Sequence, residues 1–197
     1  DDAIAIKSGL NLAGVEFAHP SAHIHVHDIY VHRECMSIGS EMSGGVHDVL
    51  FENVLFADSQ PGNRWWGIFV KSNADRGGVV SNIAYRNVSS VRHGTENVVS
   101  PFIMIDMFYT NSGANHTTLA PPIFRNFSFE DVTVYNTQQV ALLRGLKDSH
   151  VSDMRFERLR AGNYSRGVLC ANASNITFSD SDVPTSGCSS PATMLFA

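Results

Sequence analysis

Apolar and polar residues alternate in short bursts along this chain, and one burst recurs. Each copy has an apolar residue, a second two positions on and usually a third five positions after the first. The copies are Ile24/Val26/Ile29, Val49/Phe51/Val54, Ile83/Tyr85/Val88, Phe127/Phe129/Val132, Met154/Phe156/Leu159 and the shorter Ile176/Phe178. A period of two is that of a strand with one face buried. The first members lie 25, 34, 44, 27 and 22 residues apart, so one such strand is laid down per coil, with loops of unequal length between. A second set, Ile4/Ile6, Met36/Ile38, Ile68/Val70, Ile103/Ile105, Leu142 and Val168/Cys170, falls between the first. At least two strands per coil, with like strands stacking on like, predict an all-β parallel β-helix forming a single domain over residues 1–197.

No stretch carries the pattern of a long, capped amphipathic helix. The longest interval, from about Asp106 to Pro122, holds Asn111-Ser112-Gly113 and Pro121-Pro122. It fits either a lip over a groove or an unstructured turn. The chain opens on Asp1-Asp2 at what reads as a strand start, so coils missing in front of it are expected. A solenoid cut mid-array exposes its core and sheet edges, which predicts self-association through the exposed ends.

Composition narrows the function. Of 197 residues 43% are apolar and 17% charged, as in a folded domain. A net charge of -5 argues against a nucleic-acid partner, which needs a basic surface. No apolar run approaches the roughly 20 residues that span a membrane, and no cofactor is expected. N-x-S/T occurs at Asn87, Asn115, Asn126, Asn163, Asn172 and Asn175, which predicts glycosylation and a secreted, extracellular protein. Cys170 and Cys188 are close enough for a short-loop disulfide, which leaves Cys35 odd; three free thiols is the other reading.

His23, His25 and His27 alternate with Ile24 and Val26, so three imidazoles are expected on one strand face. Alternate positions lie about 6.5–7 Å apart, too far to converge on one metal without a second strand. The pattern reads as the exposed polar face of a coil, and no metal is expected.

Three stretches carry a family resemblance. Asp1-Asp2-Ala3-Ile4-Ala5-Ile6-Lys7-Ser8-Gly9, Ser37-Ile38-Gly39-Ser40-Glu41-Met42-Ser43-Gly44-Gly45-Val46, and Gly67 to Lys71 followed by Arg76-Gly77-Gly78 resemble, in order and spacing, motifs of glycoside hydrolase family 28, the polygalacturonases and their relatives. The resemblance implies a right-handed, pectin-lyase-like solenoid and inverting hydrolysis of pectin or a related polysaccharide. It makes Asp1 the general acid and Asp2 one of the residues holding the water. Inversion needs an acid to protonate the leaving oxygen and a carboxylate to activate water on the opposite face, about 6.5–9.5 Å away. Adjacent carboxylates also repel, which can keep one protonated.

If Ile68 and Val70 point into the coil, Phe69 and Lys71 point out, and the Lys71 ammonium can meet a galacturonate carboxylate as a point charge. Three departures shift the picture. An upstream Asn-Thr-Asp is not within this sequence. Arg33-Glu34-Cys35 stands where the family has Gly-His-Gly, so Glu34 offers an acceptor in place of an imidazole. Phe69 replaces the Arg of an Arg-Ile-Lys strand, exchanging a carboxylate clamp for an aromatic face. Glu34, Phe69 and Lys71 are therefore the expected substrate-binding residues, tilted towards a neutral or partly neutral sugar. Trp65, Trp66 and Phe69 fit a stacking platform, or the tryptophans pack beneath a loop. The alternative to an enzyme is a non-catalytic β-helix glycoprotein that binds polysaccharide or builds an extracellular assembly.

Overall fold

A computed structural model describes residues 2–32, 34–57, 66–91, 98–109 and 120–188. They form a parallel β-helix. One side stacks β1 (Ile4–Ile6), β3 (Met36–Gly39), β5 (Ile68–Lys71) and β7 (Val98–Asp106). The other stacks β2 (Ser21–Val31), β4 (Val46–Ala57) and β6 (Val79–Val91). The long β8 (Ile123–Arg144) belongs to both: its first part pairs with β6 and its last part with β7. β9 (Val151–Ala171) lies on β8, and β10 (Ala173–Ser179) and β11 (Thr185–Ser186) lie on β9. Every pairing between strands is parallel, and the six recurring copies stack in register: Ile24↔Val49, Val49↔Ile83, Ile83↔Phe127, Phe127↔Met154 and Met154↔Ile176.

What lets a strand wrap round a core is a residue with left-handed backbone at each corner. One corner is built by His23, Asp48, Asn82, Asn126, Asp153 and Asn175, with φ between 53° and 58°. Five residues later the next is built by Asp28, Asn53, Asn87, Asp131, Arg158 and Asp180. Asn and Asp tolerate this conformation better than other residues with a Cβ. Their side chains also tie coils together: Asn82 Nδ2 donates to Asp48 Oδ1 at 2.9 Å, Asn126 to Asn82 at 2.6 Å, Asn53 to Asp28 and Asn87 to Asn53 at 2.8 Å. Arg158 takes the corner position over Asp131 and bonds it through Nε at 2.6 Å.

The residue after each corner points inward, and the core is a set of columns. The most regular is aromatic: Phe51, Tyr85, Phe129, Phe156 and Phe178 stack face to face with centroids 4.5–5.1 Å apart and planes within 11°. The Tyr85 hydroxyl in that column is buried without a hydrogen bond.

One detail was not legible in the pattern. A short helix, α1 (Asn11–Phe17), fills the first loop. It buries only Asn11 and Gly14 and leaves Leu12 and Phe17 half or more exposed, so it lacks the apolar stripe by which helices are recognised. Gly14 is required there, since a Cβ would stand 2.7 Å from the Gly9 carbonyl carbon. Of the two readings of the cysteines, the structure has the short-loop disulfide between Cys170 and Cys188, Cα atoms 4.8 Å apart, with Cys35 free and buried. Positions 110–119, most of the long interval, lie outside the described residues.

Candidate active site

The first two strands of the narrower stack bring Asp2 beside Cys35. The Ala3 and Ile4 amides both donate to the Cys35 carbonyl, at 2.9 and 3.3 Å, and Ala5 pairs with Ser37. The Asp2 carboxylate then receives the Cys35 thiol at 3.0 Å on Oδ1 and the Ser37 hydroxyl at 2.7 Å on Oδ2. Lys71, one coil further on, places its ammonium 2.8 Å from Oδ2 and 3.1 Å from Oδ1. Three successive coils thus converge on one anion. Asp1 lies outside the described residues.

Burial alone would raise the Asp2 pKa. The hydrogen bonds from Cys35, Lys71 and Ser37, with the Lys71 charge, outweigh it and hold the carboxyl below its ordinary 3.8. Cys35 moves the opposite way: burial, then the neighbouring Asp2 carboxylate, push the thiol well above its usual range, so it stays a neutral donor. Asp2 is therefore held as the carboxylate.

Lys71 and Phe69 do point out of the coil, but neither stands in solvent. Lys71 is 7% exposed and lies over the rings of Phe69 and Tyr109, 5.0 and 5.3 Å from their centroids. Phe69 is 2% exposed, stacked under Trp66 at 4.7 Å and met edge-on by Tyr109 at 5.8 Å. The expectation that Phe69 offers its face to a sugar needs correcting: Trp66, Tyr109 and Lys71 already cover it. Glu34 is exposed, in the left-handed turn (φ 67°) that leads into β3. Trp65 and Arg33 lie outside the described residues.

The floor behind this site is polar and tightly fitted. Arg76, 2% exposed, donates through Nη1 to Ser40 at 2.9 Å, and Glu41 pairs with Lys7 at 2.8 Å. Gly78 passes so close that a Cβ would lie 2.5 Å from the Met42 carbonyl. A second ion pair lies along the same face. Asp106, in register with Lys71, is 2% exposed and takes both Nε and Nη2 of Arg144, each at 2.8 Å. Sequence reasoning passed over this pair, although the signal was present: Ile103-Met104-Ile105-Asp106 and Ala141-Leu142-Leu143-Arg144 repeat the pattern of Ile68-Phe69-Val70-Lys71. Cys35 and Ser37 were passed over too, because they lie inside motifs read for other residues.

The remaining candidates lie elsewhere. Among the described residues no three His, Cys, Asp or Glu gather as a metal site. His23 occupies a corner (φ 57°) and turns its ring edge to His47, while His25 and His27 lie against each other, 4.5 Å between centroids. The three imidazoles do not share one flat strand face. Asn87, Asn126, Asn163, Asn172 and Asn175 all have left-handed backbone, and each donates its side-chain amide to the preceding coil. Asn115 lies outside the described residues.

The family model for glycosyl hydrolases family 28 matches residues 1–187. A probable polygalacturonase of Vitis vinifera is 26% identical over 149 residues, 74% of this chain and 28% of that protein. A probable endopolygalacturonase D of Emericella nidulans is 30% identical over 133 residues, covering 68% and 22%. A polygalacturonase of Ralstonia nicotianae is 32% identical over 130 residues, covering 64% and 22%. The chain spans between 22% and 28% of the length of these relatives. Among solved structures, an exopolygalacturonase of Thermotoga maritima superposes with a TM-score of 0.65 at 23% identity, over 90% of this chain and 39% of that one, a likeness of fold.

Proposed function

Because this chain belongs to glycosyl hydrolases family 28, we propose that it forms part of an extracellular hydrolase of the polygalacturonase type, cleaving pectin or a related acidic polysaccharide with inversion. The observation that carries the reading is the ionised Asp2 carboxylate, gripped by donors from successive coils next to Asp1. In the proposed reaction Asp1 gives its proton to the glycosidic oxygen as the bond from that oxygen to the anomeric carbon breaks. Water attacks the anomeric carbon from the opposite face and loses a proton to a carboxylate. Asp2 orients that water, and the upstream aspartate of the family, not within this sequence, would share the task.

Lys71 fixes Asp2 and brings a positive charge to the site for a uronate. Glu34 accepts from a sugar hydroxyl at the rim. Phe69 acts from beneath, as the surface on which Lys71 rests. The sequons and the glycosylation they imply belong to the same extracellular reading.

One observation favours a second reading, a protein that binds polysaccharide without cleaving it. A carboxylate has about four acceptor positions, and Asp2 already makes four contacts with Cys35, Ser37 and Lys71. Water must then displace a donor to be activated. Reducing-sugar release from polygalacturonate by the full-length protein separates the two. Turnover that vanishes in Asp1→Asn supports hydrolysis; turnover unchanged in that variant removes Asp1 from its role. No turnover with retained polymer binding leaves the binding protein.

A further inference from the structure

The Cys35 thiol is buried against Asp2, yet it has no part in the proposed reaction. It stands where the family has the second glycine of Gly-His-Gly, a residue with no side chain to offer there. We infer that Cys35 is a positioning residue for the hydrolysis: its thiol holds Oδ1 of Asp2 in place while water takes over one contact of Lys71. The role rests on the hydrolase reading and adds to that site a donor the family motif lacks.

Cys35 and Ser37 are alternate residues at the start of β3, and each donates to a different oxygen of Asp2. Cys35 Sγ lies 3.0 Å from Oδ1 and Ser37 Oγ 2.7 Å from Oδ2. One donor on each oxygen stops the carboxylate from turning about its Cβ–Cγ bond. The Cys35 backbone is fixed in its turn, because its carbonyl accepts from the Ala3 and Ile4 amides at 2.9 and 3.3 Å. Lys71 contacts both oxygens, Oδ2 at 2.8 Å and Oδ1 at 3.1 Å. The longer contact is the one that an incoming water replaces at least cost, since the ammonium keeps Oδ2. With Oδ1 still held by the thiol, the carboxylate keeps its plane as the water arrives. A thiol suits this place because burial and the Asp2 carboxylate keep it neutral, a donor that brings no second negative charge. The charged and titratable groups around the pair are Lys71 from β5, with Tyr109 over it, and Glu34 from the turn into β3, with Asp1 adjacent in sequence.

The test compares Cys35→Gly, Cys35→Ala and Cys35→Ser in the full-length protein, following polygalacturonate hydrolysis across pH, with thermal melting as a folding control. Alanine and serine differ by one hydroxyl, which separates the hydrogen bond from the filling of space. The glycine and alanine variants should lose about tenfold in kcat with KM unchanged. Their acid limb of kcat/KM should move to higher pH, because Asp2 loses one of the donors that hold its pKa down. Serine should recover most of the lost kcat and return the acid limb towards that of the parent. Equal kcat in the alanine and serine variants, or an acid limb that stays in place, reduces the thiol to packing and overturns the inference. A glycine variant faster than the parent overturns it from the other side, the thiol then occupying the place of the water. In both cases the parent still hydrolyses and the hydrolase reading stands. A full-length parent without turnover overturns that reading and this role together.

Discussion

Two outer faces of this solenoid carry charged residues, and they use the same inter-coil spacing to opposite ends. On the face of β4, β6 and the first part of β8, Glu52, Arg86, Glu130 and Arg155 form an alternating ladder, each charge meeting the opposite sign one coil away at 2.6–3.3 Å. The arginines of that ladder are about half exposed, so solvent and salt weaken each pair. On the face of β1, β3, β5 and β7, the described pairs have at least one covered partner: Asp2 with Lys71, both largely buried, and buried Asp106 beneath the partly exposed Arg144. Equal geometry therefore does not make equal chemistry. Burial is what turns a structural ladder into a site, since a covered pair is costly to break and its protonation state is fixed by its neighbours.

The contrast can be broken most forcefully at Lys71. Lys71→Met should leave the covered Asp2 carboxylate with its Cys35 and Ser37 donors but without its countercharge, lowering stability by about 3 kcal/mol, and should cut polysaccharide hydrolysis at least a hundredfold. Denaturant titration and a kinetic assay check the two effects. Adding Asp2→Asn to that variant should recover stability but not activity. The pH dependence has the same origin. Asp2 has a lowered pKa in the fold, so its contribution is complete above about 3.8 and is lost as pH falls through the lower folded value. Relative to Asp2→Asn, the parent should lose stability in that acid window and nowhere above it. A parallel decline of both proteins would show that Asp2 is not held as described.

Smaller effects belong to the scaffold. Asn82→Ala removes a corner side chain at φ 57° and should cost about 1–2 kcal/mol through the left-handed backbone alone; Asn82→Gly, free of that strain, should cost less. Tyr85→Phe removes a buried hydroxyl without a partner and should raise stability by about 1 kcal/mol, visible as a higher melting temperature. Arg86→Ala on the exposed ladder should be indistinguishable from the parent in denaturant titration. A loss there as large as at Lys71 would erase the difference between the faces.

Much of the scaffold was legible because the solenoid writes itself in period-two bursts: all six copies stack in the register their spacing implies. The corners explain a less obvious feature. Each needs a residue that accepts left-handed backbone, then an inward apolar residue, then an outward strand former. Asn87-Val88-Ser89, Asn126-Phe127-Ser128 and Asn175-Ile176-Thr177 satisfy that demand and spell N-x-S/T as they do so. The abundance of sequons thus follows in part from the fold and is weaker testimony to secretion than its count suggests. The site was less legible. Alternation correctly turns Phe69 and Lys71 outward, but it carries no information on what covers an outward residue, and Trp66, Tyr109 and Asp2 come from other segments. The thiol of Cys35 on Asp2 was hidden for the same reason, being a contact between residues 33 positions apart.

The column of stacked rings has an optical consequence. Its one phenol, Tyr85, is fully enclosed, and burial drives its pKa upward, so the phenolate is strongly disfavoured while the coils remain closed. In alkali, the exposed tyrosines should give a prompt ultraviolet phenolate signal, and Tyr85 a delayed one that appears as the coils open. A spectrophotometer would then serve as a clock for unwinding at the centre of the solenoid, with no label attached to the protein.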